Sequence, residues 1–168
     1  KTQELYGRWY DPMTEVTVVP GATAGLYAAI NALVHAGEEV IVLEPCYDSY
    51  IPSIIMAGAT PVRYKMKFPG YHIDWEEVKS LINARTRMIM INTPHNPTGS
   101  ILTSADILAL EKIVSGTDII VLSDEVYEHI IFDHEQHQSI SAYPTLSEQS
   151  IMVASFGKTF HTTGWRVG

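Results

Sequence analysis

Four short apolar runs constrain this chain more than any other feature: Val40 to Leu43, Met88 to Ile91, Ile119 to Leu122 and Ile151 to Ala154. None shows the apolar–polar alternation of a half-exposed strand, so each reads as a strand buried on both faces of a parallel sheet. Helical segments separate them. Ala24 to Ala36 is rich in Ala and Leu and is closed by Gly37. Cys46 to Ala57 carries a helical face interrupted by Pro52. Asp74 to Asn83 opens with Asp74 and Glu77 at capping-box spacing, and Thr103 to Val114 opens with Thr103 as cap and Asp106 in its first turn. Glu15 to Val19 and Pro61 to Tyr64 add two candidate strands, and Glu128 to Ser150 reads as polar and loop-rich. Alternating strand and helix of this kind predicts an α/β domain, a three-layer α/β/α sandwich on a largely parallel sheet.

With 168 residues, nearly half of them apolar, one domain with a sizeable core is expected. No internal repeat, low-complexity tract or linker divides it. A formal charge of −8 without a Lys/Arg cluster argues against a nucleic-acid surface. No apolar run reaches the length of a membrane span, and the first residues lack a signal-peptide layout. Cys46 is the single cysteine, which excludes an intrachain disulfide and fits a reducing, cytoplasmic compartment. Lys1 to Tyr6 reads as the end of a helix and Val167-Gly168 as the start of another strand, so a truncated domain is expected.

Parallel sheets bind ligands in the crevice at the carboxyl ends of their strands, and the chemically versatile residues of this chain gather at those ends. Gly21-Ala22-Thr23 opens a helix, where free amides and the helix dipole suit a phosphate; an ordinary strand-to-helix turn has the same sequence. Tyr47 follows a strand and reads either as a stacking partner for a flat ligand or as a half-buried core tyrosine. Asn96 lies in the loop Asn92 to Gly99, as an oxyanion donor or a turn residue; whether Asn96-Pro97 is cis is not decided by sequence. Asp124 ends an apolar run, where a buried acid needs a partner, and Tyr127 stands three positions on.

Ser155, Lys158 and Arg166 follow the last run. A lysine among small and aromatic residues, expected to be desolvated, loses its proton readily and attacks carbonyls, while an arginine offers a fork to phosphate oxygens. A surface lysine followed by an arginine reads the same way. Of seven histidines, His129, His134 and His137 cluster, but no paired-ligand spacing accompanies them; they are expected in solvent, and no metal site is expected. Gly21 and Gly25 match neither a Walker A nor a dinucleotide fingerprint, and no G-x-S-x-G elbow occurs.

Taken together, Pro94-His95-Asn96-Pro97-Thr98-Gly99, Ser123-Asp124-Glu125-Val126-Tyr127, Ser155-Phe156-Gly157-Lys158-Thr159-Phe160 and Thr163-Gly164-Trp165-Arg166-Val167-Gly168 resemble the motifs of class I/II aminotransferases. These are fold-type I enzymes that use pyridoxal 5′-phosphate (PLP). The resemblance covers essentially the whole chain, in order. Pro45-Cys46-Tyr47-Asp48-Ser49-Tyr50 and Asn92-Thr93-Pro94-His95 are most similar to the methionine and kynurenine aminotransferase branch.

The resemblance implies transamination between an L-amino acid and a 2-oxo acid, through a Schiff base on Lys158. It implies that Asp124 pairs with the pyridine nitrogen, that Tyr127 and Asn96 bond the phenolic oxygen, and that Tyr47 stacks on the ring. Gly21, Ala22, Thr23, Ser155 and Arg166 are implied to hold the phosphate. It further implies a homodimer, with residues 1–168 as a partial PLP-binding large domain lacking an N-terminal segment and a small domain that grips the substrate carboxylate. Weak turnover by these residues alone is the corresponding expectation. The same scaffold also hosts carbon–sulfur β-lyases, aminocyclopropane-carboxylate synthases and sensor domains of transcription regulators.

Overall fold

The apolar runs form four strands of one five-stranded sheet in a computed structural model that describes all 168 residues; three of them are buried as expected, whereas Ile151 to Ala154, with β4 on one side, is buried only at Val153. Its strands are β1 (Glu39–Glu44), β2 (Thr60–Lys65), β3 (Thr86–Asn92), β4 (Ile120–Asp124) and β5 (Ser150–Val153). They run in the order β2-β1-β3-β4-β5, every pair parallel. The order reverses between β1 and β3, which opens a crevice at their carboxyl ends.

Continuous apolar strands are needed here because both faces of the sheet are covered. After a short first helix, α1 (Thr2–Tyr6), the sheet's covering helices begin: Val40 and Val42 of β1, with Met88 and Met90 of β3, pack toward α2 (Ala22–Leu33) and α3 (Tyr50–Met56), meeting Leu26, Ile30 and Ile54. Ile41, Leu43, Ile89 and Ile91 face the other way, onto α4 (Trp75–Ser80) and α5 (Ser104–Val114), meeting Trp75, Val78, Ile107 and Leu110. Each such buried side chain contributes roughly 1.5–3 kcal/mol. The predicted three-layer α/β domain is what forms.

Boundaries shift for identifiable reasons. The helix predicted from Ala24 begins two residues earlier, at Ala22, because Gly21 (φ 90°) supplies the turn. It ends at Leu33, before the Gly37 turn. Pro52 is no interruption, since it lies in the first turn of α3, where its missing N–H is one that would lack a partner. Asp74 caps α4 by accepting from the Glu76 and Glu77 amides, without the reciprocal bond of a capping box. The strand predicted over Glu15 to Val19 does not form. Its residues are largely exposed, and its backbone pairing is limited to Val19, which exchanges two 2.9 Å bonds with Gly168. β-Branched residues without a neighbouring strand have no ladder to join. The stretch Glu128 to Ser150 is more ordered than its polarity suggests, holding a 3₁₀ turn (Ile140–Ala142) and α6 (Pro144–Glu148). No helix is long and apolar enough to cross a membrane.

The full capping box is at α5, where Thr103 accepts from the Asp106 amide and Asp106 accepts from the Thr103 amide. Thr103→Ala removes the hydroxyl that accepts from the Asp106 amide and donates to Asp106 Oδ2, leaves the Thr103 amide bond in place, and is expected to lower stability by about 1 kcal/mol. A urea titration measures this; an unchanged midpoint would contradict the assignment.

Candidate active site

β3, β4 and β5 end in register: Asn92 lies beside Asp124, and Asp124 beside Val153. The loops leaving these ends, with the one after β1 and the start of α2, enclose a single cleft of about 230 Å³. All ten candidate residues line it: Gly21, Ala22 and Thr23 from the start of α2, Tyr47 after β1, Asn96 after β3, Asp124 at the end of β4 with Tyr127 in the turn that follows, and Ser155, Lys158 and Arg166 after β5.

One end of the cleft is built for an anion. The N–H groups of Ala22 and Thr23 have no acceptor within the chain, as the first turn of a helix dictates. The Arg166 guanidinium lies against Gly21, close enough that a β-carbon there would sit 2.5 Å from its Nη2. It is held from the other side by a 3.1 Å bond from Nη1 to the Thr163 carbonyl. Ser155 precedes α7 (Phe156–Thr159), and its hydroxyl takes no capping role there. Bare backbone, a helix terminus, a hydroxyl and a guanidinium together make an anion cradle.

The floor is polar and deeply buried. Asp124 is 4% exposed; its Oδ2 accepts from the Tyr50 hydroxyl at 2.6 Å and its Oδ1 from the Val126 amide at 3.2 Å. Burial pushes its carboxyl above the ordinary range, and the two hydrogen bonds work against that. Tyr47 meets Tyr50 edge-to-face at 5.7 Å and approaches Thr23 Oγ1 at 3.4 Å through its hydroxyl, so its ring stands in the cleft wall.

The Asn96 loop is fixed from beneath. Asn92 donates to the Asp124 carbonyl at 2.9 Å and accepts the Asn96 amide at 2.7 Å. His95 beside it bonds Thr98 Oγ1 at 2.8 Å, and burial holds its imidazole down at about 4, so it is neutral at pH 7. Thr93-Pro94 and Asn96-Pro97 are both cis. Lys158 Nζ lies 5.6 Å from the Tyr127 ring centroid. The expectation of a desolvated lysine is corrected here: Lys158 is exposed, because α7 carries it at the mouth of the cleft rather than on the floor.

Histidine placement needs a second correction. His137 is not in solvent; its side chain is 6% exposed and its Nε2 meets Glu125 Oε2 at 2.8 Å. Glu125, fully buried, also accepts from Ser123 Oγ at 2.9 Å and the Ile140 amide at 3.0 Å. Glu125, Glu128 and His137 bring possible ligand atoms within 4.8 Å of one another. Glu128 is already paired with Lys1 Nζ and the Tyr6 hydroxyl. Sequence reasoning missed Tyr50, Asn92 and Thr163. For Asn92 a signal existed, a polar residue closing an apolar strand; Tyr50 looked like part of an apolar helix face.

A parallel α/β sheet with an anion cradle, a buried acid and an amine at its strand ends defines a cofactor-binding domain. Residues 2–168 match the family Aminotransferase class I and II, and the chain belongs to that family of PLP-dependent enzymes. It is 48% identical over 168 residues to the methionine aminotransferase of Escherichia coli (strain K12), covering 100% of this chain and 44% of that protein. It is 35% identical over 177 residues to kynurenine–oxoglutarate transaminase 1 of Homo sapiens, covering 98% of this chain and 42% of that one. The solved structure of YbdL from Escherichia coli, described as having a methionine aminotransferase function, superposes with a TM-score of 0.97 at 47% identity. It covers 99% of this chain and 44% of that one. The chain thus spans less than half the length of these relatives.

The residues present fit PLP by their own chemistry. The cradle suits a dianionic phosphate, and a β-carbon at Gly21 would fill part of it. The buried acid suits a basic ring nitrogen, and the amine suits an aldehyde.

Proposed function

We propose that residues 1–168 are the PLP-binding large domain of an aminotransferase that moves the amino group of an L-amino acid to a 2-oxo acid. The amino donor is methionine or an aromatic or kynurenine-like amino acid, by analogy with the relatives. The observation that supports this best is one cleft that joins a buried acid, Asp124, to an amine, Lys158, and a helix-terminal anion cradle. The working form is a homodimer, as the family resemblance implies, in the reducing, cytoplasmic compartment that a single cysteine fits.

Each residue then has a task. Gly21, Ala22, Thr23, Ser155 and Arg166 bind the phosphate and set the cofactor's position. Tyr47 stacks on its ring. Asp124 keeps the ring nitrogen protonated. PLP, when bound, supplies an electron sink that stabilises negative charge at the substrate α-carbon. Asn96 and Tyr127 donate to the phenolic oxygen. The amine of Lys158 would hold the cofactor's aldehyde and, when free, would serve as the base that takes up and gives back the substrate's α-proton. The Tyr127 ring, below Nζ, keeps the amine over the cleft.

Borohydride trapping tests the reading. After incubation with PLP, reduction and digestion, the pyridoxyl mass is expected on the peptide holding Lys158. Labelling spread over Lys1, Lys65, Lys67, Lys79 and Lys112, or none at all, would refute it.

A further inference from the structure

The hydroxyl of Tyr50 is not needed for packing. Its ring opens α3, is 3% exposed and belongs to the core cluster with Ile54 and Leu122, and a phenylalanine would fill the same space. What the hydroxyl adds is its 2.6 Å bond to Asp124 Oδ2, made between residues 74 positions apart. The surroundings make that bond consequential. Burial drives Asp124 toward its neutral form, and Glu125, the next residue, adds a like charge in the same direction. Tyr50 and the Val126 amide are the donors that oppose them. Tyr50 itself is held as a donor, because burial and the adjacent carboxylate both push the ionisation of its hydroxyl to higher pH. Cys46 and Tyr47 are the other ionisable neighbours of its hydroxyl.

We infer that Tyr50 is a positioning residue for the cofactor: its hydroxyl keeps Asp124 ionised and aims the carboxylate at the ring nitrogen. The inference rests on the cofactor reading above and adds to it a residue outside the implied set. With Tyr50 on Oδ2 and Val126 on Oδ1, the carboxylate cannot rotate freely, and each oxygen retains a lone pair for the ring. Loss of the hydroxyl would leave a buried acid with one backbone donor, more readily protonated and unable to hold a protonated nitrogen.

The test compares Tyr50→Phe with the parent chain in three readouts. Absorbance titration with PLP is expected to show about tenfold weaker binding, in line with loss of a hydrogen bond to a charged group. The pH at which binding fails on the acid side is expected to rise by about one unit. In the cofactor-free chain, carbon NMR of the Asp124 carboxyl should show it protonating at higher pH in the variant. In an Asp124→Asn background, Tyr50→Phe should add little, which separates action through Asp124 from a packing effect. If the parent chain binds PLP at Lys158 while Tyr50→Phe leaves affinity, acid limb and carboxyl titration unchanged, the inference is overturned and the cofactor reading stands. If the parent chain takes no PLP, the cofactor reading fails before any variant is compared, and this inference fails with it.

Discussion

Asp124→Ala is expected to weaken PLP binding by about two to three orders of magnitude. The carboxylate is the buried group on the cleft floor and sits at 4% exposure. A protonated ring nitrogen brought against an alanine would be a buried charge without its counter-ion, and breaking such a pair costs about 3–5 kcal/mol. Stability of the cofactor-free chain should respond quite differently. The variant removes a carboxylate that burial disfavours, but strands the Tyr50 hydroxyl, a loss of about 1–3 kcal/mol. These terms oppose each other, so the melting temperature should move by only a few degrees. Absorbance titration and a thermal melt on the same samples check both halves. A variant that still binds PLP like its parent would remove Asp124 from the site.

Gly21→Ala should be the most damaging single methyl in the cradle, and Gly37→Ala is its control. Both glycines have positive φ, 90° and 87°, so alanine strains the backbone by about 1–2 kcal/mol at either place. Nothing lies within 4 Å of the β-carbon at Gly37, whereas at Gly21 it would meet the Arg166 guanidinium at 2.5–2.9 Å. Both variants should therefore lose similar stability. Only Gly21→Ala should also displace Arg166, and with it about ten- to hundredfold of the affinity for PLP. Competition by inorganic phosphate should weaken in parallel. Equal PLP binding by the two variants would show that the cradle does not use this contact.

The sheet was legible because its signal is local. Met88 to Ile91 and Ile119 to Leu122 are apolar without interruption, and only a strand covered on both faces requires that. The ten cleft residues were legible through a rule about strand ends and a family resemblance; the structure gathers them around one cavity. What escaped reading depends on partners far along the chain. Val16 to Val19 has strand-like residues and no strand beside it. His137 sits in a polar stretch, yet Glu125, twelve positions earlier, draws it inward. Tyr50 obeys the apolar pattern of its helix while its polar end serves another strand. The exposure of Lys158 follows from the placement of a four-residue helix, which periodicity does not register.

The strand that delivers Lys158 is also the shortest of the five. β5 has four residues and pairs with β4, and within residues 1–168 three of the four are only partly buried, unlike those of β1 and β3. Elements with few buried contacts open locally at a free energy below that of global unfolding. The cleft draws on β3, β4 and β5 and on the start of α2, so it exists only while β5 is docked. A ligand seated there has no affinity for the opened form, and at a hundredfold excess over its dissociation constant it adds about 2.7 kcal/mol against opening. A bound cofactor would therefore tie β5 to the rigid centre of the sheet, making the reactive amine and the local order of that strand parts of one equilibrium.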